Sequence, residues 1–176
     1  MSASPGQTRY WLLNTFGRFL ELDHMRDCLF SRTLDSTAYP GIFFFADDLA
    51  AAPFDIELRK IASRPSYMRS QPDGYVKFDA PAAKGWERYL PVDETLLHAL
   101  IILAQPAFAT LVDTMGIPVA PLTLAGNFQI TLGTTKFPLL PNIEALGDMA
   151  HLPPGEEMNL HLTDGRETAS FVVRRH

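Results

Sequence analysis

Two adjacent carboxylates, Asp47 and Asp48, follow the apolar run 41–46 and are the best catalytic candidates in this chain. An apolar strand that ends in paired carboxylates brings two oxygen ligands to the rim of a sheet, where Mg²⁺ binding or proton transfer becomes possible. The alternative is that one of these aspartates caps a short turn before Pro53. The pair therefore predicts either a small metal-assisted hydrolase or transferase, or a capped turn without catalytic function.

A second group of candidates lies in residues 59–88, where seven Lys and Arg residues stand against three acids. Aromatic residues, among them Tyr67, Tyr75 and Trp86, alternate with these cations. Arg, Tyr and Trp are the residues that most often anchor protein interfaces. The segment therefore predicts a partner-binding surface, whose candidate residues are Arg59, Lys60, Arg64, Arg69, Lys77, Trp86 and Arg88.

Three interpretations of this basic-aromatic segment are open. Cations that neutralise phosphates beside rings that stack on bases suit single-stranded nucleic acid. A protein partner or a second copy of the chain suits the same residues, and a solvated face with inward rings requires no partner. We favour a protein partner or self-association over nucleic acid, because the net charge is −5 and the cations are spaced rather than clustered.

Other chemical signals are weak. Asp23 favours a short helix through Ser31, on which His24 and Cys28 would share a face as two metal ligands can, but a structural zinc site needs four ligands. The chain contains no Gly-rich dinucleotide or phosphate loop and no zinc-protease or nucleophile-elbow motif. The sequence therefore predicts neither a cofactor nor a resident metal.

Residues 95–143 contain only two charged side chains, and this depletion marks the centre of the core. Acidic residues at its start and Gly116 after its end favour one buried apolar helix over residues 93–115, which Pro106 should kink or split. A membrane-spanning helix is the alternative for residues 95–112. The proline and the lack of flanking Lys or Arg argue against it.

Elsewhere the dominant period is two, which is typical of strands with one buried face. Phe54, Ile56 and Leu58 alternate with polar residues and predict one strand. Near the C-terminus, two alternating runs flank Asp164-Gly165, a turn that favours a β-hairpin. The predicted fold class is α+β, with a mainly antiparallel sheet packed on the central helix and a C-terminal β-hairpin.

Length and cysteine content complete the prediction. At 176 residues the chain suits one globular domain over residues 9–176, preceded by a flexible N-terminus at residues 1–8. A single cysteine and the lack of a signal-peptide pattern favour the cytoplasm. The functional hypothesis is a non-enzymatic interaction or regulatory protein that binds an acidic or phosphate-rich partner through residues 59–88.

Overall fold

Antiparallel strands form most of this fold, as the period-two alternation predicts. The computed structural model describes residues 8–34, 39–45, 54–55, 58–61, 66–82, 84–105 and 108–176. In these residues strands far outnumber helical turns, and every strand pair is antiparallel. The mixed α+β class is therefore confirmed, with sheets as its larger part.

The chain divides into two compact units, Met1–Glu94 and Thr95–His176. In the described residues the first unit contains two sheets and the second unit contains one. The interpretation of residues 9–176 as one domain stays a prediction.

The first unit contains nine strands in its described part. They are β1 (Arg9–Asn14), β2 (Arg18–Asp23), β3 (Cys28–Thr33), β4 (Phe44–Phe45), β5 (Phe54–Asp55), β6 (Leu58–Ile61), β7 (Ser66–Ser70), β8 (Val76–Ala80) and β9 (Tyr89–Val92). One sheet has the order β3-β2-β1-β4, with β9 paired to β1, and the other has the order β5-β6-β7-β8.

Apolar side chains from both sheets form the core of this unit. The buried members are Leu12, Leu20, Met68, Val76 and Tyr89. Because successive side chains of a strand point to opposite faces, one face of β1 and β2 supplies the first two residues, and β7, β8 and β9 supply the others. Tyr89 also joins β9 to β7, since its hydroxyl hydrogen-bonds the Ser70 hydroxyl at 2.9 Å.

Two local predictions in this unit are wrong. Phe54 and Leu58 do not lie on one strand, because β5 and β6 pair with each other in antiparallel orientation. Alternation alone cannot distinguish one strand from two that fold back tightly. Residues 23–31 form the β2–β3 hairpin rather than a helix, so His24 and Cys28 do not share a helical face. The carboxylate of Asp23 accepts hydrogen bonds from the backbone of the turn instead.

A glycine fixes the approach of β8 to β3. Gly74 has a φ of +98°, and a Cβ at this position would lie 2.7 Å from the Phe30 ring. Its carbonyl accepts a hydrogen bond from the Ser31 backbone at 2.7 Å. The turn before β8 therefore requires a residue that tolerates positive φ and has no side chain.

The buried helix predicted at residues 93–115 is shorter in the structure. Helix α1 spans Glu94–Ala104, and strand β10 (Ala109–Val112) occupies part of the predicted helix. The physical reason is that proline cannot supply the backbone donor that a helix needs, so Pro106 favours an early end. Leu100 and Ile101 are buried, as expected for the core. No helix in the described ranges is long and apolar enough to cross a membrane.

The second unit is built on a six-stranded sheet. Its other strands are β11 (Pro118–Ala125), β12 (Gln129–Leu132), β13 (Thr135–Pro138), β14 (Glu157–Thr163) and β15 (Thr168–Arg175). The order β13-β12-β11-β10-β15-β14 is antiparallel throughout. The two outermost strands, β13 and β14, contact each other, so the sheet curls upon itself.

Strands β14 and β15 form a hairpin around Asp164-Gly165, with Glu157 opposite Arg174 and Thr163 opposite Thr168. The Asp164 carboxylate accepts hydrogen bonds of 2.8 Å from the backbone N–H groups of Arg166 and Glu167. These bonds stabilise the ionised form and lower the pKa of Asp164.

Asn142 joins the two ends of the curled sheet. It ends a 3₁₀ turn, Leu140–Asn142, that precedes helix α2 (Ile143–Ala150). Its side-chain NH₂ donates to the carbonyls of Pro138 on β13 and Thr163 on β14, at 2.6 and 2.9 Å. Its side-chain oxygen accepts from the Thr163 N–H at 2.8 Å. This buried amide therefore links the backbones of the two end strands, β13 and β14.

Candidate partner-binding surface

Part of the predicted basic-aromatic surface lies outside the described residues. Arg64 lies there, and so do Asp47 and Asp48, the pair on which the enzymatic alternative depends. Of Arg59 and Lys60 only the backbone is described, on strand β6. Their roles stay predictions.

Arg69 forms an ion pair with Asp79. It lies opposite Lys77 on strands β7 and β8. Its guanidinium lies 3.1 Å from the Asp79 carboxylate, and the side chain is only 28% exposed. Because this neighbour compensates its charge, Arg69 contributes less to a cationic surface than its sequence position suggested. Lys77 is exposed on the adjacent strand.

The two tryptophans differ sharply in exposure. Trp11 is 1% exposed, and its indole N–H donates to the Pro40 carbonyl at 3.1 Å. Trp86 is 43% exposed, on the 3₁₀ turn Gly85–Glu87. Its ring contacts the Phe16 ring at a centroid distance of 5.9 Å. Trp86 therefore presents a large ring to solvent on an ordered turn.

The turn that carries Trp86 is fixed by a buried carboxylate. Glu87 is 4% exposed and accepts a 2.8 Å hydrogen bond from the Lys84 backbone N–H. Lys84 and Arg88, on either side of this turn, have exposed side chains. Glu87, the only acid between residues 84 and 88, is thus buried, and the exposed charges of this segment are positive.

A second turn places Phe16 against the Trp86 ring and Arg18 beside Phe16. The Asn14 side-chain oxygen accepts hydrogen bonds of 3.0 Å from the backbone N–H groups of both Phe16 and Arg18. The Arg18 guanidinium lies 5.9 Å from the Phe16 ring centroid and donates to the Pro72 carbonyl at 2.8 Å. We call Phe16, Arg18, Lys84, Trp86 and Arg88 the Arg–Trp surface.

Sequence reasoning missed Phe16 and Arg18. The turn at residues 14–17 was predictable from its Asn and Gly, which tolerate the dihedral angles that a tight turn requires. Nothing in the sequence indicated that this turn packs against residue 86, because that contact depends on the tertiary fold. The candidate surface therefore combines residues from two distant segments.

The ionisable residues provide no metal centre in the described part of the chain, where no group of three or more His, Cys, Asp or Glu side chains could hold a metal ion. Among the titratable groups of the described residues, Tyr89 has the most strongly perturbed ionisation. Burial, helped by the nearby Glu87 charge, raises its pKa far above the ordinary value, although the hydrogen bond with Ser70 opposes the shift.

No protein family, curated protein or solved structure shows detectable similarity to this chain.

Proposed function

We propose that this protein is a non-enzymatic interaction protein that binds an acidic segment of a partner protein through the Arg–Trp surface. The observation that carries the proposal is the exposure of Trp86, which is 43% accessible while its ring rests on Phe16. Burying a large exposed ring against a partner is favourable, and Trp and Arg are both enriched at binding hot spots.

The charges of this surface support an acidic partner. Lys84 and Arg88 are exposed, whereas Glu87 is buried beside them. Arg18 is already oriented by Phe16 and Pro72, so less side-chain entropy is lost when its remaining N–H groups bind a carboxylate. A cytoplasmic location is also part of the proposal and rests on the single cysteine.

The test uses Trp86 as its own reporter. Polyglutamate is titrated into the protein while tryptophan fluorescence and its quenching by acrylamide are recorded. We expect binding to shield Trp86 and to weaken as salt is added, since exposed charges are screened. Arg18→Glu and Lys84→Glu should each weaken binding about tenfold. Trp86→Phe should remove the fluorescence response, because Trp11 is buried.

Arg166→Glu is the matched control, since it makes the same charge reversal at an exposed position of the β14–β15 turn. It should leave polyglutamate binding within about twofold of wild type, because Arg166 is not one of the residues of the Arg–Trp surface. Equal losses in Arg166→Glu and Arg18→Glu would mean that only net charge matters, and the proposal would fail. Preferential binding of an oligothymidylate would identify a nucleic-acid partner instead.

A further inference from the structure

The tip of the β2–β3 hairpin carries a surface groove that is separate from the Arg–Trp surface. The groove has a volume of about 350 Å³, at the lower end of the range for binding sites. Its lining consists of two carboxylates, two guanidinium groups and three large apolar side chains, namely Glu21, Asp23, Arg26, Arg32, Leu22, Met25 and Phe30.

The charges of the groove cancel, and they pair only loosely. Arg32 lies 3.8 Å from the Glu21 carboxylate, and Arg26 lies 3.8 Å from the Asp23 carboxylate. Both distances exceed normal hydrogen-bond length. The two arginine side chains are 63% and 62% exposed. The Glu21 and Asp23 side chains are 23% and 27% exposed, so the arginines are the more accessible member of each pair and the carboxylates are partly accessible.

The hairpin tip also exposes a large apolar group. Met25 is 95% exposed, more than any other large hydrophobic residue in the described part of the chain. The tip is nevertheless well supported, because the Asp23 carboxylate accepts from the Met25 N–H at 3.0 Å. Arg26 donates to the Tyr75 hydroxyl, and the Tyr75 ring contacts Phe30 at 5.8 Å. The face is therefore preorganised for binding.

We propose that this groove binds the same groove of a second copy of the chain, related by a twofold axis. Such an interface places one patch against itself, so the patch must be self-complementary. Two carboxylates and two guanidinium groups meet this condition, since each arginine of one copy meets an acid of the other. A strongly acidic partner would be repelled by Glu21 and Asp23, and a strongly basic one by Arg26 and Arg32. Met25 of each copy then fills apolar space in the opposite groove.

The decisive experiment uses two variants with opposite charges. Arg26→Glu/Arg32→Glu makes the groove wholly acidic, and Glu21→Lys/Asp23→Lys makes it wholly basic. Sedimentation equilibrium of the full chain should show a dimer for wild type and weaken at least about tenfold for each variant alone. An equimolar mixture of the two variants should restore the dimer, because unlike patches again face each other. A monomeric wild type up to about 1 mM, or a mixture that does not associate, would overturn the proposal.

Single substitutions at exposed methionines keep the test valid if the charge variants do not fold. Met25→Glu changes only an exposed turn and should abolish the dimer. Met115→Glu makes the same change at a residue that is 82% exposed in the other unit, and it should leave the dimer intact. A dimer that survives Met25→Glu would place the contact elsewhere and contradict the proposal. Polyglutamate binding depends on different residues, so it can succeed or fail independently.

Discussion

At the residue scale, Tyr89 couples the stability of the first unit to alkaline pH. Its phenol is buried and hydrogen-bonded to Ser70, and its pKa in the folded state lies above the value near 10 of a free tyrosine. The folded state therefore holds this proton more tightly than the unfolded state. The stabilising effect is complete below pH about 10 and is lost as the pH rises above it, because only the unfolded chain ionises readily.

Urea unfolding at a series of pH values from about 8 to 11 tests this prediction. The free energy of unfolding should fall with pH above about 10 in wild type and fall less steeply in Tyr89→Phe. The variant should cost about 1 kcal/mol at neutral pH, because the Ser70 hydroxyl loses its partner. An equal pH slope in both proteins would show that Tyr89 does not control the alkaline loss of stability.

Individual residues also show how far sequence reasoning reached. A tryptophan among cations is typical of an interface, and Trp86 lies on a surface turn. Arg69 has the same sequence context, but its neighbour Asp79 neutralises it across two strands. Residue type predicts what a side chain is able to do. Only the strand register determines which neighbouring group that side chain already contacts.

At the scale of elements, Asn142 should control how the six-stranded sheet closes. Its amide makes three hydrogen bonds, to Pro138 on β13 and to both backbone groups of Thr163 on β14. Asn142→Ala would remove all three of these hydrogen bonds from partly buried backbone groups. We expect a loss of about 2–4 kcal/mol in the free energy of unfolding, measured by far-ultraviolet circular dichroism in urea.

Asn159→Ala is the matched control, because Asn159 is an exposed residue of the same strand β14. This substitution should change the free energy of unfolding by no more than about 0.5 kcal/mol. Similar losses in both variants would mean that the Asn142 hydrogen bonds do not close the sheet.

The sequence pattern predicts the C-terminal hairpin better than it predicts the end of helix α1. The alternating runs on either side of Asp164-Gly165 correspond to strands that pair with each other. Helix α1 ends at Ala104, although apolar residues continue beyond it. A continuous apolar run suits a buried strand as well as a buried helix, so composition alone could not place the change from α1 to β10.

At the scale of the whole molecule, the sequence predicted the α+β class but not the number of sheets. Three sheets occur in the described residues, distributed over the two units. Period-two alternation identifies strands one at a time and carries no information on which strands pair across long separations. The curl that brings β13 to β14 is a property of the complete sheet, and no short segment encodes it.

The boundary between the two units lies between Glu94 and Thr95, within the first turn of α1. Domain boundaries usually fall in exposed, flexible linkers, and a boundary inside a helix with buried residues such as Leu97 is unlike them. We therefore predict that the chain unfolds in one cooperative transition. Both tryptophans, Trp11 and Trp86, lie in the first unit, so tryptophan fluorescence reports on that unit alone.

Asn142→Ala, which weakens the second unit, provides the test. If the chain is one cooperative domain, the urea midpoint measured by tryptophan fluorescence should fall together with that measured by circular dichroism, because neither unit can unfold alone. A fluorescence midpoint that stays at its wild-type value while the circular dichroism transition shifts would show two independent domains. Asn142→Ala therefore tests the cooperativity of the entire chain, because the substitution lies in residues 95–176 and the tryptophans that report unfolding lie in residues 1–94.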